Sequence, residues 1–351
     1  MDKIRLGIIG SGGIFRHLHV PYLEQSDLCE VAVIADPNQE AANELAEKLN
    51  VDVVSHWEKV IERNDLDAVT IATHPRPRCE IAVAAAETGK HLFVEKPMCC
   101  SKAEGDAMVD AVEKAGVKLQ VAYLERWNPY LNKLKELLDQ GDLGQPLLVH
   151  ANQVGWFAPN HPWLFVQEES GGMLIEQAIH TIDRWLWHFG DVDSVYGRTS
   201  QVDVGGTYPG LEKGVHNNAV FIASFKNGMT GTLSKSWASE MRFGGEGMVG
   251  SKGSAEYGTD HLRWKTHDME QQEEFEASVP DDDSYRNLPP NSRQQNYWPI
   301  YSKGACIENW LRAVRGEEEV TADARIGRRG VEIAEAIYRS AKTGEVVELS
   351  E

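Results

Sequence analysis

Two short stretches of this chain carry residue types suited to proton and anion chemistry. In the first, the apolar run Leu92-Phe93-Val94 leads directly into Glu95-Lys96-Pro97. The run follows a glycine-ended helical segment and reads as a buried strand of a parallel sheet. Lys96 then lies at a strand's carboxyl end, the edge where ligands bind in open α/β sheets. Pro97 fixes its own φ and biases Lys96 toward an extended backbone. In the second stretch, Gly171-Gly172 open a segment running to Asp183, and helical periodicity puts Glu176, His180 and Asp183 at i, i+4 and i+7 on one face. An ammonium can hold an oxygen anion, and an imidazole beside carboxylates can exchange a proton at neutral pH. Leu174, Ile175, Ile182, Leu186 and Phe189 make the rest of that helix apolar, so its polar stripe needs partners or a cleft. The spacing does not match H-E-x-x-H and no cysteines support it, so no metal is expected.

The elements that would position Lys96 begin at the amino terminus. Ile4 to Ile9 reads as a strand, followed by Gly10-Ser11-Gly12-Gly13-Ile14-Phe15 and a helical segment as far as Pro21. A glycine turn between strand and helix lets backbone N–H groups face a diphosphate. The next strand, Val31 to Ala35, ends in Asp36, near the spacing of about 20 residues at which an acid accepts the ribose hydroxyls of NAD. Pro37, Asn38 and Gln39 follow with no base to meet a 2'-phosphate, which favours NAD over NADP. Phe15 stands where the pattern wants a small residue, implying looser packing of helix on strand. Helices and strands then alternate: helices at 40–50, 57–63, 80–88 and 103–115, strands at 68–72, 91–94 and 117–122. This is a doubly wound parallel sheet. Gly10, Gly12, Gly13, Ile14, Asp36, Thr73, His74, Glu95 and Lys96 are the expected cofactor contacts. His74 can equally be an ordinary loop residue.

After Tyr123 the pattern changes. A helix over 130–138 is followed by β-branched and aromatic runs at 147–153, 192–204, 218–225, 230–237, 246–250 and 254–258, with Asn227-Gly228 as a hairpin turn. Successive strands without intervening helices predict an antiparallel sheet, so the expected organisation is a Rossmann domain over 1–122 and an α+β domain over 123–351. One open sheet face calls for a cover, and a second subunit suits it. Residues 280–302, rich in Pro, Asn and Asp, predict a lid or an interface arm. Helices over 304–314 and 324–343 close the chain.

Fifty-four acids against 35 bases give a net charge of -19, which excludes phosphate backbones and anionic membranes as natural partners. No apolar run approaches the ~20 residues of a membrane helix. Five cysteines, with Cys99 and Cys100 adjacent, form neither a disulfide framework nor a metal knuckle. These features, and a first strand where a signal peptide would stand, predict a cytoplasmic protein.

Taken in order, Gly10-Ser11-Gly12-Gly13-Ile14, Gly89-Lys90-His91 to Glu95-Lys96-Pro97, Asn128-Pro129 and His180-Thr181-Ile182-Asp183 resemble the Gfo/Idh/MocA oxidoreductases, the glucose-fructose oxidoreductase and inositol dehydrogenase family. The resemblance spans nearly the whole chain. It implies NAD(P) on the Rossmann domain, a second domain with a large open, mostly antiparallel sheet, and homodimers or homotetramers packed through that sheet. It also implies a hydride exchanged with a sugar, sugar derivative or cyclitol. Lys96 matches the family's catalytic lysine and His180 its catalytic histidine. Glu176 stands where many members have aspartate, Ala178 where many have glycine, and Arg78 replaces a common histidine. In this reading His180 exchanges the proton, Lys96 holds the reacting oxygen or acts as the base, and Glu176 and Asp183 orient His180 or bind hydroxyls. Tyr123, Arg126, Trp156, His161 and Trp163 are candidates for the substrate pocket wall. Two other readings fit the same residues: a glycosidase or lyase that borrows and returns a hydride on bound NAD, and a silent NAD or sugar sensor.

Overall fold

Short β-branched runs flanked by glycine turns build both sheets of the computed structural model, which describes residues 2–156, 162–202, 214–278 and 293–350. The chain forms two compact units, Met1–Trp127 with Pro280–Arg328, and Asn128–Val279 with Arg329–Glu351.

The first unit holds a six-stranded parallel sheet: β1 (Ile4–Ile9), β2 (Cys29–Ala35), β3 (Asp52–Val54), β4 (Ala68–Ile71), β5 (His91–Val94) and β6 (Leu119–Val121), in the order β3-β2-β1-β4-β5-β6. The order reverses at β1 and β4, which places the carboxyl ends of β1 and β4 at the crevice of a doubly wound sheet. β4 is buried at every position because helices cover both faces. β3 is an addition to the sequence reading; at three residues, exposed or half-buried, it leaves too little pattern to recognise. The helix Lys102–Ala115 has both expected ends, with Ser101 accepting from the Glu104 amide and Gly116 at φ 68°.

The helix Arg293–Val314 belongs to the first unit, where Ile307, Trp310 and Leu311 join a core that includes Phe15, Phe93 and Ala122. The expected helix over 304–314 therefore starts earlier, because residues 293–302 are helical even though Pro299 lies inside. Proline and asparagine content argued for a loop, and tertiary packing overrode it. The remainder of 280–302 lies outside the described residues.

The second unit holds a nine-stranded sheet: β7 (Pro146–Trp156), β8 (Val192–Ser200), β9 (Asn218–Phe225), β10 (Thr230–Ser236), β11 (Ala238–Gly250), β12 (Gly253–Tyr257), β13 (Leu262–Thr266), β14 (Glu273–Glu274) and β15 (Val347–Glu348). Its order is β14-β13-β12-β11-β7-β10-β9-β8-β15. The sheet is mostly antiparallel, as expected, with one parallel pair that the sequence did not indicate: β7 and β10, Leu148 opposite Thr230 and Gln153 opposite Lys235. β7 enters the sheet first, and β10 and β11 then take its two sides. One face packs on the helix Ile179–Phe189, whose Trp185 meets Phe221 and Phe225 at ring distances of 5.8 and 6.1 Å. A Cβ on Gly231 would lie 2.9 Å from the Trp185 ring, so the glycine makes room for the indole.

Candidate active site

The turn after β1 shows two different uses of glycine. Gly10 has φ +93°, and a Cβ there would lie 2.8 Å from the Ala72 carbonyl carbon and oxygen and 2.9 Å from the Thr73 nitrogen. Backbone from the end of β4 therefore presses directly on this position. A Cβ on Gly12 would meet nothing within 4 Å, and Gly12, Gly13 and Ile14 are exposed. These amides open the following helical segment, and backbone N–H groups at such a helix start can receive a dinucleotide diphosphate. The segment begins with a π turn, Phe15–His19, before Val20–Leu23 continues as α-helix. Phe15 is fully buried, 4.9 Å from the His19 ring.

Asp36 lies at the end of β2. Its Oδ2 accepts from the Ser11 amide at 2.6 Å and the Ser11 hydroxyl at 2.9 Å, and its Oδ1 accepts from the Asn38 amide at 2.8 Å. A carboxylate has about four acceptor positions, so capacity for a ribose hydroxyl remains. Arg16, which the sequence reading passed over, braces the same turn: its Nε donates to Ser11 O at 2.9 Å and its Nη1 pairs with Glu44 at 2.9 Å. Engaged in this way, it is not placed as a 2'-phosphate receptor.

The exit of β5 is the most tightly held polar region of the first unit. Glu95 is 4% exposed; its Oε1 meets His19 Nε2 at 2.7 Å and the ammonium of Lys303, and its Oε2 accepts from the Lys96 amide at 3.2 Å. Burial would push the Glu95 carboxyl up, but the Lys303 charge and the His19 hydrogen bond outweigh it and hold the group well below the usual carboxylate range. Burial drives His19 in the opposite sense, lowering its pKa despite the bond to Glu95. Its Nδ1 is buried without a partner among the described residues, between the Phe15 and Phe93 rings. A proton there would be an unsatisfied donor, so the neutral ring with its proton on Nε2 fits this position.

Arg78 completes the frame. It is 5% exposed; its Nη1 donates to Glu95 O at 2.9 Å and to Pro97 O, and its Nε to Thr73 O at 3.1 Å. Arg78 thus ties the loop after β4 to the residues on either side of Lys96, whose bond to Pro97 is cis. Lys96 itself is half-buried, and His74 is exposed. Tyr123 is buried, and Arg126, 7% exposed, donates through Nη1 to Thr321 O at 3.0 Å. Nothing in the local sequence marks His19 or Lys303 as partners of Glu95; Arg78 stood out only as a replaced histidine.

In the second unit Gly171 and Gly172, at φ +75° and +78°, start the polar helix. A Cβ on Gly172 would collide with the Gln167 and Tyr338 side chains, and the Tyr338 hydroxyl accepts from the Leu174 amide at 3.0 Å. Leu174–Ala178 forms a π turn and regular α-helix begins at Ile179. This corrects the expectation of one continuous α-helical face: Glu176 belongs to the widened turn, His180 and Asp183 to the α-helix. Such widened turns occur often at functional sites. Glu176 and His180 are half-buried and Asp183 is buried. The turn also presents Gln177, whose Oε1 accepts from the buried Trp237 indole. Beside His180, Thr181 joins a buried polar group: Gln153 Nε2 donates to Thr181 Oγ1 at 2.8 Å and to Glu246 Oε1 at 2.7 Å, Arg184 pairs with Glu246, and Lys235 donates to Gln153 at 2.8 Å. Alternation along β7, β10 and β11 could have suggested this group, but the parallel pairing that aligns it was not expected. Trp163 is half-buried in the turn Pro162–Phe165. The side chain of Trp156, at the end of β7, and all of His161 lie outside the described residues.

Two family models match the chain: an oxidoreductase family with an NAD-binding Rossmann fold over residues 4–123, and the C-terminal alpha/beta domain of the same family over 135–349. The chain belongs to the Gfo/Idh/MocA oxidoreductase family. Residues 4–123 of its first unit match the family's NAD-binding Rossmann domain. Among relatives of this Gfo/Idh/MocA chain, myo-inositol 2-dehydrogenase of Thermotoga maritima is 29% identical over 238 residues, 66% of this chain and 68% of that protein. Levoglucosan dehydrogenase of Pseudarthrobacter phenanthrenivorans is 32% identical over 56% of this chain and 53% of its own length. The crystal structure of the WlbA dehydrogenase of Bordetella pertussis, in complex with NADH and UDP-GlcNAcA, matches with a TM-score of 0.84 and 26% identity, covering 99% of this chain and 98% of that one. Among the described residues no helix is long and apolar enough to cross a membrane.

Proposed function

We propose that this Gfo/Idh/MocA protein is an NAD-dependent dehydrogenase or reductase that interconverts a hydroxyl and a carbonyl on a sugar, sugar derivative or cyclitol. The observation that carries the reading is the mounting of Lys96. It stands at the carboxyl end of β5 in an NAD-binding sheet, its own amide held by Glu95 and its neighbours' carbonyls by Arg78. A rigidly held ammonium at that edge suits the developing charge on a reacting oxygen. Bound NAD supplies the hydride chemistry; the protein supplies placement and the proton.

In this proposal the turn at Gly10 to Ile14 receives the diphosphate, Asp36 the adenine ribose, and Thr73, His74 and Glu95 border the cofactor. Lys96 holds the substrate oxygen. His180 exchanges its proton, work for which an imidazole is suited at neutral pH. Glu176 and Asp183 orient His180 or accept substrate hydroxyls, and Tyr123, Arg126, Trp156 and Trp163 are the further candidates for substrate contact. Relatives named for inositol and levoglucosan support a polyhydroxylated ring as the substrate class.

The second unit's sheet supports assembly with a second copy. Leu148, opposite Val249 and Thr230, and Val220 and Ile222 on β9 share its uncovered face and are 40–56% exposed. Apolar side chains paired across strands on an open face suit an isologous interface.

The test is a panel of monosaccharides, anhydrosugars, sugar acids and inositols with NAD or NADP, read as NADH absorbance. Net NADH formation with one of them, and preference for NAD, is expected. Sugar turnover without net NADH would replace this reading with the hydride-returning one, and NAD binding with no turnover in any arm would replace it with the sensor.

A further inference from the structure

The charged residues around Glu95 are too deeply buried for ordinary surface pairing. Lys303 has no exposed side-chain area, nor has His19, and the Glu95 side chain is 6% exposed. Lys303 comes from the helix Arg293–Val314, 208 residues beyond Glu95, and its ammonium also lies 5.7 Å from the centre of the Phe93 ring. A buried pair of this kind is rarely the most stabilising choice, because well-packed apolar residues of the same volume do as well or better. Its geometry is informative instead. His19 and Lys303 both converge on Oε1, leaving Oε2 to the Lys96 amide. Two fixed donors on one oxygen set the plane of the carboxylate, and so the direction in which the other oxygen meets Lys96.

We propose that Lys303, with His19, is a positioning residue for turnover, acting through Glu95 to fix the backbone from which Lys96 reaches the substrate. The proposal rests on the assignment of Lys96 as the oxygen-holding group. Neither Lys303 nor His19 touches substrate in this account. Arg78 holds the carbonyls of Glu95 and Pro97 independently, so the segment stays on the sheet when the carboxylate is released, and what is lost is the fixed orientation of the Lys96 peptide between them. Misplacement of a catalytic group by about 1 Å costs on the order of 100-fold in rate.

The experiment uses the full chain with Lys303→Met and with the double variant Glu95→Gln/Lys303→Met. The single variant strands a buried carboxylate and can fail to fold; the double variant removes both charges together and keeps an amide at position 95. Hydrogen exchange resolved to single amides, which needs no substrate, reports the bond from Lys96 to Glu95. Protection at Lys96 is expected to fall at least about tenfold while that of Val94 stays within twofold. Turnover is read with NAD and myo-inositol, scyllo-inositol or levoglucosan, whichever the wild type oxidises fastest. The expected result is a kcat lower by about 10- to 100-fold, with a KM for the carbohydrate within about threefold. Unchanged Lys96 protection in the folded double variant overturns the proposal, as does lost protection with unchanged kcat. A Lys96→Met control with undiminished kcat would instead remove the role of Lys96, so the two failures are distinguishable.

Discussion

Replacing Gly10 by alanine places a methyl group where the end of β4 leaves no room. The added carbon would lie 2.8 Å from the Ala72 carbonyl atoms and 2.9 Å from the Thr73 nitrogen, all of them backbone. Side-chain rotation cannot relieve such contacts. Two costs combine: about 1–2 kcal/mol for an L residue at φ +93°, and about 1–3 kcal/mol for forcing volume into a packed site. The expected loss is therefore about 2–5 kcal/mol, a large share of an ordinary domain's stability. Urea unfolding followed by tryptophan fluorescence should show a lower midpoint with little change in slope. Gly12→Ala is the paired comparison. It meets nothing within 4 Å, so stability should shift by less than about 1 kcal/mol. NADH affinity should nonetheless fall, because the new methyl occupies the approach of the diphosphate. Equal stability losses at the two glycines, or an unchanged NADH affinity in Gly12→Ala, would refute this account of the turn.

Asp36→Ala should weaken NADH binding by at least about tenfold and narrow the preference over NADPH, measured by fluorescence titration with each dinucleotide. Arg184→Met leaves Glu246 buried without its cation and should cost about 3–5 kcal/mol in urea unfolding. Glu95 ionises in the folded state well below its unfolded value near 4.3, so its stabilising contribution is complete above that value and is lost as pH falls through the folded one. The difference in urea midpoint between wild type and Glu95→Gln should accordingly be constant from pH 7 to 5 and shrink toward pH 3. Val220→Glu with Ile222→Glu, both on the open sheet face, should turn an assembled protein into monomers by light scattering while leaving NADH affinity unchanged.

Local pattern carried most of the first unit. Apolar four- to seven-residue strands ending in Asp36, Thr73 and Lys96 could be ordered along one sheet edge because parallel strands alternate with helices of recognisable ends, such as Ser101 and Gly116. The partners of Glu95 were illegible for the opposite reason. His19 lies 76 residues before it and Lys303 208 residues after it, and no periodicity links them. Both π turns were also missed. A 3.6-residue period cannot register the widened turns at Phe15–His19 and Leu174–Ala178, of which the first follows the candidate cofactor turn and the second carries Glu176. In the second unit Val220 and Ile222 alternate cleanly with buried Phe221 and Ala223, so β9 could be read. The parallel pairing of β7 with β10, which brings Gln153 and Lys235 side by side, depends on strand order that alternation does not encode.

The central claim is that Lys96 carries the chemistry of an NAD-dependent carbohydrate oxidoreductase. The most direct measurement is kcat/KM of Lys96→Met, with NAD and the panel carbohydrate the wild type oxidises fastest, in protein of unaltered urea midpoint and NADH affinity. A fall of about 100-fold or more is predicted. An unchanged kcat/KM in that folded, NADH-binding variant would contradict the account.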